Sequence, residues 1–264
     1  MDFLLEVIHR LEGKYEFQDL GEKVSSSKVT PMSVQFTELG FEPNFIDYIS
    51  AWDQQRAIHA SVVAGTATNT VLLLEHAAVY TAGKRTEDHE RPFDGTPVVN
   101  VDRGGKLTWH GPGQLVMYPI VHLADVRGIR AYVHALEDII IEVLAHFGVD
   151  GLRVEGRAGI WLLADAHGPD RKIAAIGIRV HEGVTMHGIA INVNNSLAPY
   201  AQIIACGIQD AGTTTLQAET GLAVTPKDIA PLVRAATARI LAPLVTDIQA
   251  ESSTVTPNAE GVLS

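Results

Sequence analysis

The sequence predicts an α+β fold, in which a mixed and largely antiparallel sheet packs against helices. Two observations predict it. Short apolar runs typical of strands outnumber the segments with helical periodicity, and most neighbouring runs are joined by turns rather than by the helical crossovers that parallel strands require. A chain of 264 residues is long enough to bury one full core, whereas two complete domains would be a tight fit.

Three segments predict helices. In NFIDYISAWDQQRAIHASVVAG, large apolar side chains from Phe45 to Trp52 recur at helical spacing, and Gly65 ends the pattern. The segment IRAYVHALEDIIIEVLAHFG has the same periodicity and ends at Gly148. The last helix begins with Thr225 as N-cap, followed by proline at the first helical position.

Apolar, β-branched runs bounded by turn residues predict the strands. In chain order they are TVLLLE (70–75), PVVNV (97–101), LVMYPIVHL (115–123), GIWLLAD (159–165), KIAAIGIRV (172–180) and VTMHGIAINVN (184–194). They belong to one predicted catalytic domain, residues 32–245. Residues 1–31 are expected to form an extension of short helix and polar linker, and residues 246–264, with few large apolar side chains and no Lys or Arg, are expected to be a disordered tail.

Charge and composition exclude several functions. A net charge of -11 argues against a broad nucleic-acid surface. Apolar runs are interrupted by charge before they reach the length of a membrane span, and the acidic Asp2 is unlike the basic start of a signal peptide, so a cytoplasmic protein without membrane contact is expected. The histidines form no metal-binding pair such as HxxxH, and one cysteine cannot complete a thiolate site, so we expect no metal.

Cys206 is the only cysteine, and it lies in IIACGIQDAGTTTL between an apolar run and a glycine-rich turn. A single thiol forms no intramolecular disulfide. Two interpretations remain at this point, a small buried apolar side chain and a nucleophile.

The segment RGGKLTWHGPGQLVMYPI, residues 103–120, contains four glycines that allow positive backbone φ and close approach of a ligand to bare amides. A tight hairpin between two strands would explain the glycines equally well. It would not explain why Arg103, Trp109, His110 and Gln114 cluster with them. Neither the segment nor the rest of the chain contains a phosphate-binding GxxxxGK[ST] motif.

Two further strands carry candidate residues. Lys172 leads an apolar strand, where a lysine is most often a solvated residue that guards the strand against aggregation. Small residues alternate with larger ones at Ala175, Gly177, Gly188 and Ala190. On adjacent strands they would leave a slot wide enough for an acyl chain, although packing against a helix produces the same pattern.

Taken together, these segments resemble the octanoyltransferases of lipoate biosynthesis, the lipoyl(octanoyl) transferases of the LipB type. The resemblance is carried, in chain order, by VLLLEHAAVYTAGKR, by RGGKLTWHGPGQLVMYPI, by KIAAIGIRV with TMHGIAINV, and by ACGI followed by TTTL. It covers about residues 32–222, and the RGG, HGPGQ and YPI elements are highly specific in combination. In one departure, Ala205 precedes the cysteine where the family commonly has proline, which loosens the turn without removing a chemical group.

The resemblance implies a fold similar to the catalytic module of biotin and lipoate protein ligases, and it implies site residues. The catalytic nucleophile falls on Cys206 and its activating lysine on Lys172. The implied acyl-binding residues are Arg103, Gly104, Gly105, Lys106, Leu107, Thr108, Trp109, His110, Ala175, Ile176, Gly177, Gly188, Ile189 and Ala190. A thiol of ordinary pKa near 8.5 is only a few per cent thiolate at neutral pH, so a neighbouring ammonium would activate it.

The implied donor is octanoyl-acyl carrier protein, and the implied acceptors are lysines on the lipoyl domains of 2-oxoacid dehydrogenase complexes and on the glycine cleavage H protein. No cofactor is expected, because transfer from thioester to amide runs downhill without ATP. An ATP-dependent lipoate or biotin ligase and a non-catalytic carrier-binding module are the alternatives. Since carrier and lipoyl domains are expected to be acidic, a basic rim is predicted to dock them: Lys84, Arg85, Arg103, Lys106, Arg127 and Arg130.

Overall fold

The computed structural model describes residues 34–92, 96–166, 168–203 and 211–247. The predicted N-terminal extension, residues 248–264 of the predicted tail, and Cys206 therefore lie outside the described residues. The helices and strands are, in chain order, β1 (Gln35–Gly40), α1 (Tyr48–Val63), β2 (Thr70–Leu74), β3 (Val79–Ala82), β4 (Val98–Asn100), β5 (Leu107–His110), β6 (Gln114–Ile120), α2 (Ile129–Ala145), β7 (Leu152–Val154), β8 (Arg157–Leu162), β9 (Arg171–His181), β10 (Val184–Asn192), β11 (Gly212–Thr213), α3 (Leu216–Thr220) and α4 (Pro226–Leu241).

Two sheets form the centre of the described part of the chain. The larger has eight strands, in the order β1-β2-β6-β10-β9-β8-β7 with β11 paired to β9, and the smaller has the order β4-β3-β5. In the larger sheet the β1–β2 and β11–β9 pairs are parallel and the remaining pairs are antiparallel. The predicted mixed, largely antiparallel sheet is confirmed.

Different layers cover the two faces of the larger sheet. Along β6, Leu115 and Met117 join the core formed with α2 and α4, whereas Val116 and Tyr118 face α1. The smaller sheet lies on the α1 side, where the backbone N–H of Gly104 donates to the carbonyl of β9 Ile178 at 2.9 Å. The central strands are therefore buried on both faces, which explains why they are continuously apolar rather than alternating.

The three predicted helices are confirmed, with one corrected boundary. The first starts at Tyr48 because the Asp47 side chain accepts from Ser50 N at 2.9 Å, and because Ile46 is held in extended conformation by a β-bridge to His76. Thr225 caps α4 in a reciprocal capping box with Asp228. No helix among the described residues is both long enough and apolar enough to cross a membrane.

The glycine-rich segment is not a simple hairpin. Its two strands go to different sheets: β5 pairs with β3 in the smaller sheet, and β6 pairs with β2 and β10 in the larger one. The chain crosses between the sheets at Gly113, whose φ is +85° and whose N–H donates to the buried carboxylate of Glu75 at 2.7 Å. A side chain there would meet the backbone of Asn195 at 2.6 Å, so this crossing requires glycine.

Candidate active site

A cavity of about 320 Å³ lies between the two sheets. Among the residues proposed from sequence, those that line it are Arg103, Gly105, Lys106, Thr108, His110, Lys172, Ala175, Ile176, Gly177, Gly188, Ile189 and Ala190. Of the described acyl-binding residues proposed, Gly104, Leu107 and Trp109 do not line it. Leu107 and Trp109 point into the small apolar cluster under β3 and β5, because side chains alternate along β5 and the intervening Thr108 faces the cavity.

The small residues on β9 and β10 lie opposite one another. Ala175 pairs with Ala190, and Gly177 pairs with Gly188, so all four share the cavity face of the sheet. The glycines also have separate structural reasons. A Cβ on Gly188 would lie 2.2 Å from the Met117 carbonyl of β6, and one on Gly177 would lie 2.9 Å from Arg103 Cδ. The alternating pattern thus shapes both the cavity and the contacts around it.

Arg103 shapes the glycine loop instead of presenting a free guanidinium. Its Nη1 donates to the carbonyls of Gly104 and Lys106 at 3.0 and 2.9 Å, and its Nη2 donates to the carbonyl and hydroxyl of Thr81 at 2.9 and 2.8 Å. The side chain is 7% exposed. Its place in the predicted basic rim is therefore wrong, since charge that is buried and bonded to backbone does not reach a docking partner.

Lys172 lines the cavity where β9 begins. Its Nζ lies 5.3 Å from the centroid of the Trp161 ring, within cation–π range. Gly159 makes room for this side chain: a Cβ there would lie 2.7 Å from Lys172 Cε and 2.2 Å from the carbonyl of Ala174. Lys172 is partly buried against the cavity, so the interpretation as a fully solvated strand-start lysine does not describe it.

The residues that follow the Cys206 segment lie next to Lys172. On its C-terminal side, Thr213 pairs with Lys172, and the Thr214 N–H donates to the Lys172 carbonyl at 2.9 Å. A second, small cavity of about 40 Å³ is lined by Lys172 together with Ala211, Gly212 and Thr213. Cys206 itself lies outside the described residues.

A buried ion pair fixes that C-terminal flank. Arg171 donates from Nε and Nη2 to the two carboxylate oxygens of Glu219, at 2.6 and 2.7 Å, and both side chains are nearly buried. Glu219 also accepts from the Thr214 hydroxyl. Paired donors matched to both carboxylate oxygens hold α3, β11 and the start of β9 in one arrangement.

The buried rings of Tyr48 and His110 line the cavity 6.0 Å apart, and His76 packs against both. Burial lowers the pKa of His110 to about 3 and that of His76 to about 4, and it raises the pKa of Tyr48 to about 12. These groups are neutral at physiological pH. Since the Gln114 oxygen 2.7 Å away can only accept, His110 donates from Nδ1 and keeps Nε2 as an acceptor, which makes it unsuited to donating to an oxyanion.

Arg85, which the sequence placed only in the docking rim, also lines the cavity. The sequence analysis missed the other cavity residues: Tyr48, Tyr118, Gly156, Arg157, Ala158 and His187. Tyr48 had been assigned only to the apolar face of a helix. His187 directly precedes Gly188 within a segment already selected, so adjacency was an available signal. Within the described ranges, His, Cys, Asp and Glu side chains form no group of three or more that could hold a metal ion.

Comparison with known proteins adds independent findings. The family model of the lipoyl protein ligase A/B catalytic domain matches residues 47–238. A protein of Renibacterium salmoninarum named octanoyltransferase is 68% identical over 200 residues, which cover 76% of this chain and 86% of that protein. An octanoyltransferase of Leifsonia xyli subsp. xyli is 57% identical, covering 77% of this chain and 91% of its own.

Solved structures share the fold at low identity. A structure of the bi-partite lipoate protein ligase from Thermoplasma acidophilum matches with a TM-score of 0.54 and 10% sequence identity, and the match covers 79% of this chain and 82% of that chain. At this identity the likeness concerns the fold alone. It agrees with the predicted similarity to the catalytic module of lipoate ligases.

Proposed function

The chain belongs to the octanoyltransferases that carry a lipoyl protein ligase A/B catalytic domain, and we propose that it moves octanoyl from acyl carrier protein to lipoyl-domain lysines through a thioester on Cys206. Octanoyl transfer in lipoate biosynthesis is the activity of this family. The carrier donor, the acceptors on 2-oxoacid dehydrogenase complexes and the glycine cleavage H protein, and the roles of Cys206 and Lys172 form the proposal.

The observation that carries the proposal is the cavity that runs along β9 and β10 from Lys172. Its floor is made by the paired small residues Ala175 with Ala190 and Gly177 with Gly188. Because these four residues have no branched side chains, they leave space along β9 and β10 in which a flexible alkyl chain can lie. Lys172 lies at one end of this cavity and pairs with Thr213, which follows the Cys206 segment. In the proposal, the reacting carbonyl of the acyl group lies at this end.

In the proposed first step, the Cys206 thiolate attacks the carbonyl carbon of the octanoyl thioester. A C–Sγ bond to Cys206 forms, and the C–S bond to the carrier breaks. The departing thiolate takes a proton from the Lys172 ammonium, leaving a neutral amine. One thioester replaces another, so this step is nearly balanced in energy.

In the second step, the neutral amine of the acceptor lysine attacks the acyl-enzyme. A C–N bond forms and the C–Sγ bond breaks, while the amine proton passes to neutral Lys172. Cys206 leaves as a thiolate beside the restored ammonium. Because an amide is more stable than a thioester, this step drives the transfer without ATP.

The proposal is tested by incubating the full chain with octanoyl carrier protein and a lipoyl domain. Intact mass spectrometry should detect one octanoyl group on the chain and, after addition of the lipoyl domain, one on its lysine. An octanoyl group appearing on the lipoyl domain under conditions in which the enzyme is never acylated, even at short times, would contradict the covalent route. Dependence of transfer on ATP would favour a ligase.

Filling the cavity floor should block the acyl chain. Ala175→Leu places a branched side chain in the part of the cavity proposed to hold the alkyl chain, so we expect kcat/KM for octanoyl thioester to fall at least tenfold. Ala175 is preferable to Gly188, since any side chain at Gly188 would strike the backbone of β6.

The matched control for Ala175→Leu is chain length within the same variant. A butanoyl thioester, whose shorter chain occupies less of the cavity, should lose far less activity than the octanoyl thioester. The melting temperature is measured alongside, because overpacking alone costs about 1–3 kcal/mol of stability. Equal losses for both substrates in a folded variant would place the acyl chain elsewhere.

With Arg103 excluded from the predicted basic rim, Lys84 is a candidate for docking the carrier protein. Lys84 is exposed, and its backbone N–H donates to the Arg103 carbonyl at 3.1 Å, so it lies next to the glycine loop. Lys84→Glu should raise the KM for octanoyl carrier protein several-fold and weaken its salt dependence, with little effect on a small octanoyl thioester.

Lys227→Glu makes the same charge change on α4, on the opposite face of the larger sheet, and serves as the control. Arg85 is left intact in this test because it lines the cavity itself. An identical rise in KM from both variants would attribute the effect to net charge rather than to the rim.

A further inference from the structure

Asn192, the last residue of β10, places a buried amide close to the start of β9. It is 4% exposed and lines the small cavity that Lys172 also lines. Its Nδ2 donates to the Thr214 carbonyl at 3.0 Å, while its Oδ1 accepts from Gln114 Nε2 at 2.9 Å and from the Tyr200 hydroxyl at 3.4 Å. Both polar atoms of this amide are thus bonded within the protein.

Two partners of this amide lie on opposite sides of Cys206 in the chain. Tyr200 precedes Cys206 by six residues, and Thr214 follows it by eight. The acceptor atom of Asn192 serves the N-terminal flank of the Cys206 segment, and its donor atom serves the C-terminal flank. A single side chain therefore joins both flanks to β10.

Each flank has one further anchor. On the C-terminal side, the Thr214 N–H donates to the Lys172 carbonyl at 2.9 Å, so the backbone of Thr214 is bonded both to β9 and to Asn192 of β10. On the N-terminal side, the Tyr80 hydroxyl of β3 donates to the Pro199 carbonyl at 2.8 Å. The amide of Asn192 thereby connects a flank held by the larger sheet with a flank held by the smaller one.

An amide suits this place because it offers a donor and an acceptor in one rigid plane. Leucine has a similar size but neither group, so Asn192→Leu would leave the Thr214 carbonyl without this donor. The side chain does not line the larger cavity, where the acyl chain is proposed to lie. Any effect of Asn192 on acyl transfer must therefore pass through the segments that it holds.

We propose that Asn192 is a positioning residue for acyl transfer, which fixes both flanks of the Cys206 segment relative to Lys172. The inference rests on the proposed function, because it takes Cys206 as the nucleophile and Lys172 as the group that activates it. Reacting atoms must approach to about 3–3.5 Å, and a displacement of about 1 Å can lower a rate roughly a hundredfold. Loss of this amide should therefore lower kcat more than it weakens substrate binding.

The test measures transfer from a small octanoyl thioester to a lipoyl domain by Asn192→Leu. We expect kcat to fall about a hundredfold and KM to stay within about twofold of the wild type. The pH profile of iodoacetamide labelling of Cys206 should move upward, because the thiol is no longer held beside the Lys172 ammonium. The labelling rate at the alkaline plateau should stay unchanged, since a fully ionised thiol needs no activation.

Asn69→Leu is the matched control. Asn69 is 2% exposed, and its amide likewise bridges distant backbone groups, since it accepts from the His122 N–H at 2.7 Å and donates to the Thr246 carbonyl at 3.1 Å. It lines neither of the two cavities. This variant should lower the melting temperature, while kcat and the labelling profile, both measured well below that temperature, stay at wild-type values.

If Asn192→Leu does not fold, Asn192→Thr and Asn69→Thr replace the pair, because threonine is favoured in strands and its single hydroxyl cannot bond to both flanks. Unchanged kcat in a folded Asn192 variant, a loss confined to KM, or equal losses in the Asn69 control would overturn the proposal. So would a labelling rate that falls equally at every pH, which would show that the thiol is inaccessible. A wild type that forms no acyl-enzyme would instead contradict the proposed function.

Discussion

Replacing Cys206 with alanine is expected to abolish the acyl-enzyme and to lower octanoyl transfer by at least about three orders of magnitude. The chain contains no second cysteine that could substitute for it. The chain continues from there to Thr213, which pairs with Lys172 between β11 and β9, and to Thr214, whose N–H donates to the Lys172 carbonyl. Intact mass after incubation with octanoyl carrier protein should show one octanoyl group on the wild type, removable by hydroxylamine, and none on Cys206→Ala.

The same variant separates catalysis from binding. A carrier-binding module would bind octanoyl carrier protein as tightly without the thiol as with it and would show no acyl-enzyme in either form. Cys206→Ser provides the matched control, because a hydroxyl of similar size is a far weaker nucleophile at neutral pH. Acylation that persists in Cys206→Ala would assign the nucleophile to another residue.

The sequence predicted those features that depend on local pattern. Thr225 caps its helix, Gly65 and Gly148 follow helix ends with positive φ, and Ala175 lies opposite Ala190 on one face, because caps, left-handed glycines and strand alternation are short-range properties. The hairpin interpretation of the HGPG turn was wrong because the pairing partners of β5 and β6 lie far away in sequence.

Long-range contacts account for the rest of what sequence reasoning missed. Arg103 was assigned to a surface rim, although its guanidinium is committed to backbone carbonyls that only the folded loop brings together. The left-handed backbone of His187, and the Trp52 and Gln55 nitrogens without partners among the described residues, depend on how α1 packs over β10. No periodicity in the sequence encodes such a meeting of helix and strand.

Lys172→Met is expected to lower octanoyl transfer by about two to four orders of magnitude, the usual range for loss of a general acid and base. In the proposed mechanism Lys172 both stabilises the thiolate and carries the proton between leaving thiol and incoming amine. Methionine keeps the apolar stem in the space that Gly159 leaves open, so the fold should be retained.

Alkylation of Cys206 distinguishes the electrostatic role of Lys172 from a merely structural one. If its ammonium stabilises the thiolate, the pH profile of iodoacetamide labelling should move upward in Lys172→Met and stay in place in Lys227→Met, which removes an exposed lysine from α4. Lys172→Arg separates the two parts of the role further: a guanidinium keeps the positive charge but does not release its proton. The Lys172→Arg variant should therefore be labelled like the wild type while still transferring octanoyl poorly. Identical labelling profiles for the wild type and Lys172→Met would instead show that Lys172 has only a structural role at the start of β9.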